Sequence, residues 1–136
     1  MPVVFIDNRL AVKDAMNSKI EAVLEECAGE VESQTKSNTA VDTGDTQNSW
    51  QHKVYPTESG FEAAVGSNYE NAIWEEFGTG EYALEGKGRK GGWFYVDEKG
   101  KGHFTRGKKP RRALFRAFTS KKGWIIEHIQ AALRGL

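Results

Sequence analysis

The stretch VGSNYENAIWEEFGTG, Val65–Gly80, changes backbone regime twice and decides how the rest of the chain is read. It opens on the end of an alternating segment and turns at Gly66-Ser67-Asn68. From there Tyr69, Ile73, Trp74 and Phe77 follow helical spacing, which predicts a short helix with Glu70, Glu75 and Glu76 facing outward. Gly78 is expected to close it as a left-handed cap.

Working back from Val65, Phe61, Ala63 and Val65 alternate with Glu62 and Ala64, as in a half-buried strand. Thr57–Gly60 carries turn chemistry, and Trp50–Tyr55 reads as the partner strand, stopped by Pro56. Residues 50–66 are therefore expected to form one antiparallel hairpin. Ahead of it, Asp42 or Thr43 can cap a short helix whose first turn holds Asp45. Ser37-Asn38-Thr39 should end the helix before that. Val12, Met16, Ile20, Val23, Cys27 and Val31 recur every three or four residues, one apolar face of a helix from about 8 to 36. At ~1.5 Å per residue it spans roughly 40 Å, more than a small core can cover, so its far end is expected to pack on something else, such as another copy. Cys27 lies on the apolar face and should be buried and inert. Val3–Ile6 reads as a short β-branched strand, with Asp7 or Asn8 as a helix cap.

From Gly80 onward, residues 80–92 contain five glycines and read as a flexible Gly/Lys-rich loop. Trp93–Val96 is a predicted third strand, Asp97–Gly102 a turn, and His103–Arg106 the return strand. Pro110 suits the first turn of a last helix. Its apolar face comprises Leu114, Phe115, Phe118, Ile125, Ile126, Ile129, Ala132 and Leu133, with Gly123 a weak point where it could kink. The fold class that follows is α+β: a long N-terminal helix and a C-terminal helix packed on an antiparallel sheet of about four strands, in a single domain over residues 1–136.

Composition narrows the function. No segment approaches 18 apolar residues, and Val3–Ile6 is too short for a signal peptide. The lone cysteine fits a protein made in a reducing cytoplasm. Net charge is zero, yet residues 1–85 carry 5 Lys+Arg against 16 Asp+Glu, net −11, while residues 86–136 carry 14 against 3, net +11. The two halves either neutralise each other inside one subunit or present opposite faces through which copies join head to tail.

Asp45, Ser49 and His52 could share a helix face, but a triad needs all three in contact beside an oxyanion pocket, and Trp50 begins a strand between them. His52, His103 and His128 have no Cys or carboxylate at metal-ligand spacing, so no cofactor or metal is expected. Gly86–Gly91 matches GxGxxG literally but lacks the strand-then-helix setting that gives the motif meaning. The basic residues are a stronger signal. Lys87, Arg89, Lys90, Lys99, Lys101, Arg106, Lys108, Lys109, Arg111 and Arg112 interleave with Trp93, Phe94, Tyr95 and Phe104, the composition of a single-strand nucleic-acid binder. Lys108, Lys109, Arg111 and Arg112 also crowd a helix start, where the macrodipole disfavours cations; an acidic partner would offset that cost.

Three pieces in fixed order carry a family resemblance: Val41-Asp42-Thr43-Gly44 with Ser49, then Val65-Gly66-Ser67-Asn68 with Glu76-Phe77-Gly78-Thr79-Gly80, then the Pro110-headed Ala-Leu-Phe helix. Together they resemble the small tail-component family of long-tailed bacteriophages, the tail-completion or head–tail joining proteins. The resemblance implies a non-enzymatic virion protein that forms a ring, typically six-fold, at the neck between tail tube or terminator and head connector. It implies a place in the virion, assembly in the host cytoplasm, no membrane contact, and a channel through which DNA passes. Candidate interface or DNA-facing residues are Lys87, Arg89, Lys90, Lys108, Lys109, Arg111 and Arg112 on the basic side and Glu70, Glu75 and Glu76 on the acidic side. Thr46 stands where the family commonly has an apolar residue, which weakens the expected staple of the short helix to the core.

Overall fold

The computed structural model describes residues 9–41, 44–86 and 88–135. The expected strand at Val3–Ile6, the caps at Asp7, Asn8, Asp42 and Thr43, and the Lys87 side chain lie outside the described residues.

The chain runs through helix α1 (Arg9–Asn38), helix α2 (Asp45–Asn48), strands β1 (Gln51–Thr57) and β2 (Gly60–Gly66), helix α3 (Glu70–Phe77), two short 3-10 turns (Gly80–Tyr82 and Leu84–Gly86), strands β3 (Trp93–Val96) and β4 (Gly102–Thr105), and helix α4 (Ala113–Arg134). The α+β class holds, with four strands. They form two separate antiparallel hairpins, β1–β2 and β3–β4, rather than one sheet. β1–β2 packs on α1, and α4 packs on α1 and α3. α1 is thus the central element, with the first hairpin and α4 both against it.

α1 and α4 run antiparallel. Successive contacts along the seam are Asn38 Nδ2 to the Ala113 carbonyl at 3.2 Å, Lys121 to Glu30 at 2.8 Å, and the His128–Glu26 ion pair. α4 ends beside Lys19, so among the described residues the first turns of α1 have no partner helix. Leu10, Val12 and Met16 are exposed there, while Cys27, Ala28, Val31 and Thr35 are buried further along. Gly123 neither kinks nor breaks α4, which is continuous.

The core is small and built largely from small side chains: Ala28, Ala72, Ala113 and Ala117 are buried with Cys27, Val31 and Trp50. Small residues let helices approach closely but remove little apolar area from water. Three polar side chains beside the core, Trp50, Thr39 and Thr35, are satisfied in a chain. Trp50 Nε1 donates to Thr39 Oγ1 at 3.0 Å, Thr39 donates to the Thr35 carbonyl at 2.7 Å, and Thr35 donates to the Val31 carbonyl at 2.7 Å. Burying an unpaired hydroxyl would cost about 1–3 kcal/mol, so this relay matters to the core.

Pro56 does not stop β1; the strand continues to Thr57, with Pro56 opposite Phe61. A two-stranded sheet leaves β1 an open outer edge, where a missing N–H costs nothing. Gly44 stands at the N-cap of α2, in left-handed conformation.

Candidate functional site

The acidic helix α3 and the basic segment before α4 meet inside the subunit. Gly78 ends α3 with φ 77° and ψ 171°, a positive-φ extended geometry rather than a left-handed cap, which sends the chain alongside residues 106–110. The Thr79 N–H donates to the Lys108 carbonyl at 2.9 Å, and the Lys108 N–H donates to the Thr79 carbonyl at 3.2 Å and its Oγ1 at 2.9 Å. The Glu81 N–H donates to the Arg106 carbonyl at 2.9 Å. The two backbones lie so close that a Cβ at Gly80 would sit 2.2 Å from the Arg106 carbonyl oxygen, and one at Gly107 would sit 2.0 Å from that of Thr79. This close approach is why the Gly-Thr-Gly triplet needs its glycines.

Glu75 and Glu76, expected to face outward, are buried, at 8% and 6% exposure. Lys108 pairs with Glu75, and the Arg111 N–H donates to the Glu75 carbonyl at 2.6 Å. Glu76 accepts the Leu114 N–H at 2.9 Å on one oxygen and the Phe115 N–H at 3.0 Å on the other, with Arg112 Nε 3.8 Å away. Glu76 therefore caps α4 from another element, supplying an anion where orphan N–H groups and the helix dipole both attract one. Pro110 consequently lies ahead of the helix instead of in its first turn. Arg112, at φ 57° and ψ 39°, is the N-cap, and its guanidinium stacks over Phe115 at 4.5 Å and Phe77 at 5.6 Å. The cations at the start of α4 do have an acidic partner: the Glu75-Glu76 pair of the same chain.

Turning the glutamates inward turns the apolar residues of α3 outward. Tyr69, Ile73, Trp74 and Phe77 are exposed, as are Phe115 and Phe118 on α4. Between the two helices Ile73, Phe77, Leu114, Phe115 and Phe118 line an open apolar groove of about 370 Å³.

The other candidate residues disperse. Arg89 stacks over Trp93 at 5.6 Å, Lys109 over Tyr82 at 5.8 Å, Lys90 and Glu70 are exposed, and Arg111 Nε reaches the Asn38 carbonyl at 3.4 Å. Ser49 donates to the Thr46 carbonyl and accepts from Ser67, both at 2.7 Å, while His52 sits between Glu25 and Glu32 of α1. The serine and the histidine thus serve different elements. His52 is half-buried, and its hydrogen bond to Glu25 is the main reason its pKa is raised, with Glu32 adding to it. Every histidine meets a carboxylate that spacing did not reveal: His103 with Asp97 at 2.7 Å, and His128 with Glu26. Among the described residues no group of three His, Cys, Asp or Glu could hold a metal ion. Burial raises the Cys27 thiol pKa, with Glu26 contributing, as befits an unreactive core thiol. Gly86–Gly91 leads from a 3-10 turn into β3. No helix of the described residues is long and apolar enough to cross a membrane.

Thr46 is buried, and its hydroxyl accepts from Asn71 Nδ2 at 2.7 Å. The attachment of α2, expected to be weakened by Thr46, is thus made to α3 by a hydrogen bond.

The HK97-gp10-like family, described as "Bacteriophage HK97-gp10, putative tail-component", matches residues 5–78, more than half of the chain. The chain belongs to this family of phage tail components. The matched span runs through α1, the first hairpin and α3 to Gly78, the residue that opens the clasp formed by the backbone bonds between residues 79–81 and 106–108. The β3–β4 hairpin and α4 lie outside it. No curated protein and no solved structure matches the chain.

Proposed function

We propose that this tail component is a non-enzymatic subunit of the head–tail junction of a tailed phage or prophage, acting in tail completion. Copies assemble as a ring between tail tube or terminator and head connector, in the host cytoplasm and then in the virion. Membership of the tail-component family carries the reading. Its physical support has moved from charge to apolar surface. Glu75 and Glu76 are spent inside the subunit, but α3 and α4 leave Ile73, Trp74, Phe77, Phe115 and Phe118 uncovered. A contiguous apolar patch on a small domain marks a contact surface.

The test is a deletion of the gene in its phage or prophage, followed by electron microscopy of the lysate. Filled heads and finished tails should accumulate unjoined, and a plasmid copy should restore virions. Normal, infectious particles from the deletion would overturn the reading.

A nucleic-acid-binding module is the second reading, favoured by Arg89 stacked on Trp93 beside exposed Phe94 and Phe104. It requires binding to single-stranded DNA that falls steeply with salt as counterions are released. Charge reversal at Arg89 and Lys90 should abolish it.

A further inference from the structure

The β3–β4 hairpin has two unlike faces. Phe94 and Phe104 are direct cross-strand neighbours, and Val96 sits opposite Gly102 on the same side. The other side is occupied: Tyr95 stacks on His103 at 5.2 Å, and Arg89 covers Trp93. On the first side the rings stand largely uncovered by the described residues. Phe94 is 69% exposed, Val96 64% and Phe104 61%. Glycines set the rings down on the backbone, since a Cβ at Gly102 would lie 2.7 Å from the Phe94 ring and one at Gly92 2.6 Å from the Phe104 ring. The result is a smooth apolar ridge that packs extensively against no helix of its own subunit. A two-stranded hairpin gains little by itself from such a face.

We infer that this ridge docks into the α3–α4 groove of a second copy of the chain, a heterologous contact. The inference rests on the assembly role proposed above for its biological setting. One subunit carries both halves: a convex apolar ridge, and a concave groove lined by Ile73, Phe77, Leu114, Phe115 and Phe118. The groove's one flanking guanidinium, Arg112, already lies over Phe77 and Phe115 and can take a further ring face. Phe94, Val96 and Phe104 themselves carry no charge to oppose it. Size decides the strength. At the roughly 200 Å² that an aromatic side chain removes from water when buried, three ridge residues at these exposures bring on the order of 400 Å². That is about half the roughly 800 Å² per partner of a standard interface. The contact should therefore be weak and concentration-dependent, suited to a subunit stored free and assembled on a template. Because ridge and groove are different surfaces, each docked copy leaves one of each unused, so the contact propagates.

Analytical ultracentrifugation of the full chain over a wide concentration series tests this. The average mass should rise past that of a dimer. The ridge variant Phe94→Ser/Phe104→Ser and the groove variants Ile73→Glu and Phe118→Glu should each stay monomeric, with unchanged circular dichroism because all these positions are exposed. An equimolar mixture of ridge and groove variants should recover a dimer and nothing larger, since one intact ridge meets one intact groove. Three results would overturn the inference: a wild-type chain monomeric throughout, association undiminished in the ridge variant, or a mixture that stays monomeric. A ridge variant that loses only single-stranded DNA binding would also overturn it and assign the ridge to nucleic acid. Plasmid complementation of the deleted phage separates the two readings. A wild-type chain that restores virions yet never self-associates sinks the docking and leaves the tail role standing.

Discussion

Two regions of this molecule reverse the usual division between inside and outside. At the α3–α4 junction two glutamates are buried and hydrogen-bonded, and the backbones of residues 79–81 and 106–108 lie within van der Waals limits that only glycine meets. At the β3–β4 hairpin, aromatic rings stand in water. The difference teaches that burial in this subunit follows pairing rather than residue polarity. The junction uses charge to close the subunit, and the apolar residues left over face outward for something else.

Substitutions can break that contrast. Gly80→Ala should do most damage, because its Cβ meets the Arg106 carbonyl and its φ of 60° strains any L side chain; we expect a loss of about 3–5 kcal/mol in urea unfolding. Retention of full stability would mean the clasp is not formed. Glu76→Ala removes the cap of α4 and leaves Arg112 without its anion, for a loss of about 2–3 kcal/mol, and Glu76→Gln should recover part of it. Equal losses in both variants would show that charge is irrelevant there. Thr46→Val takes away the acceptor for Asn71 and should lower stability by about 1–2 kcal/mol in the same assay.

A pH series sharpens the contrast from the α1 side. His52 gains proton affinity on folding, chiefly from Glu25 and then Glu32, while Lys36 lies 3.6 Å from Glu32. Its contribution is therefore fully present below its unfolded pKa of 6.5 and is lost as pH rises through the raised folded value. His52→Gln should flatten the stability profile above pH 6.5 by about 0.5–1 kcal/mol. Asp97 has the opposite sign: its pKa is lowered, chiefly by His103, so its contribution disappears only as pH falls through the acidic range. The smallest effect belongs to Phe94→Ser, within about 0.5 kcal/mol of the wild type, since an exposed ring holds nothing together. A large loss would place the ridge in the subunit's own stability and dissolve the comparison.

Much of this was legible in the residues. The period of α1 placed Cys27 and Val31 on a buried face correctly, but Val12 and Met16 share that face and stay exposed, because only contact with α4 decides how far burial extends. Periodicity groups residues on a face without saying which way the face points. For α3 it grouped Ile73, Trp74 and Phe77 correctly and aimed them the wrong way. A partial clue was present: four cations at a helix start call for an anion nearby, but Glu75-Glu76 and the sequence-nearer Asp97-Glu98 were both available to supply it. Glutamate's ordinary preference for water pointed elsewhere. The groove could not be read at all, since Phe77 and Phe118 are far apart in sequence and meet only through the clasp. The split into two hairpins was equally hidden, because strand patterns carry no record of which strands pair.

The clasp has a mechanical consequence for the distal hairpin. Both of its legs are tied at the root, one through Arg106 to Glu81 and the other through the Gly91 N–H, which donates to Glu81 Oε1 at 3.3 Å. A short ribbon hung from glycine-rich chain would wander, and each partner would have to immobilise it afresh. Anchored this way, the root of the hairpin is tied to the segment that leaves α3, so a tilt of that helix would swing the hairpin's tip through a longer arc.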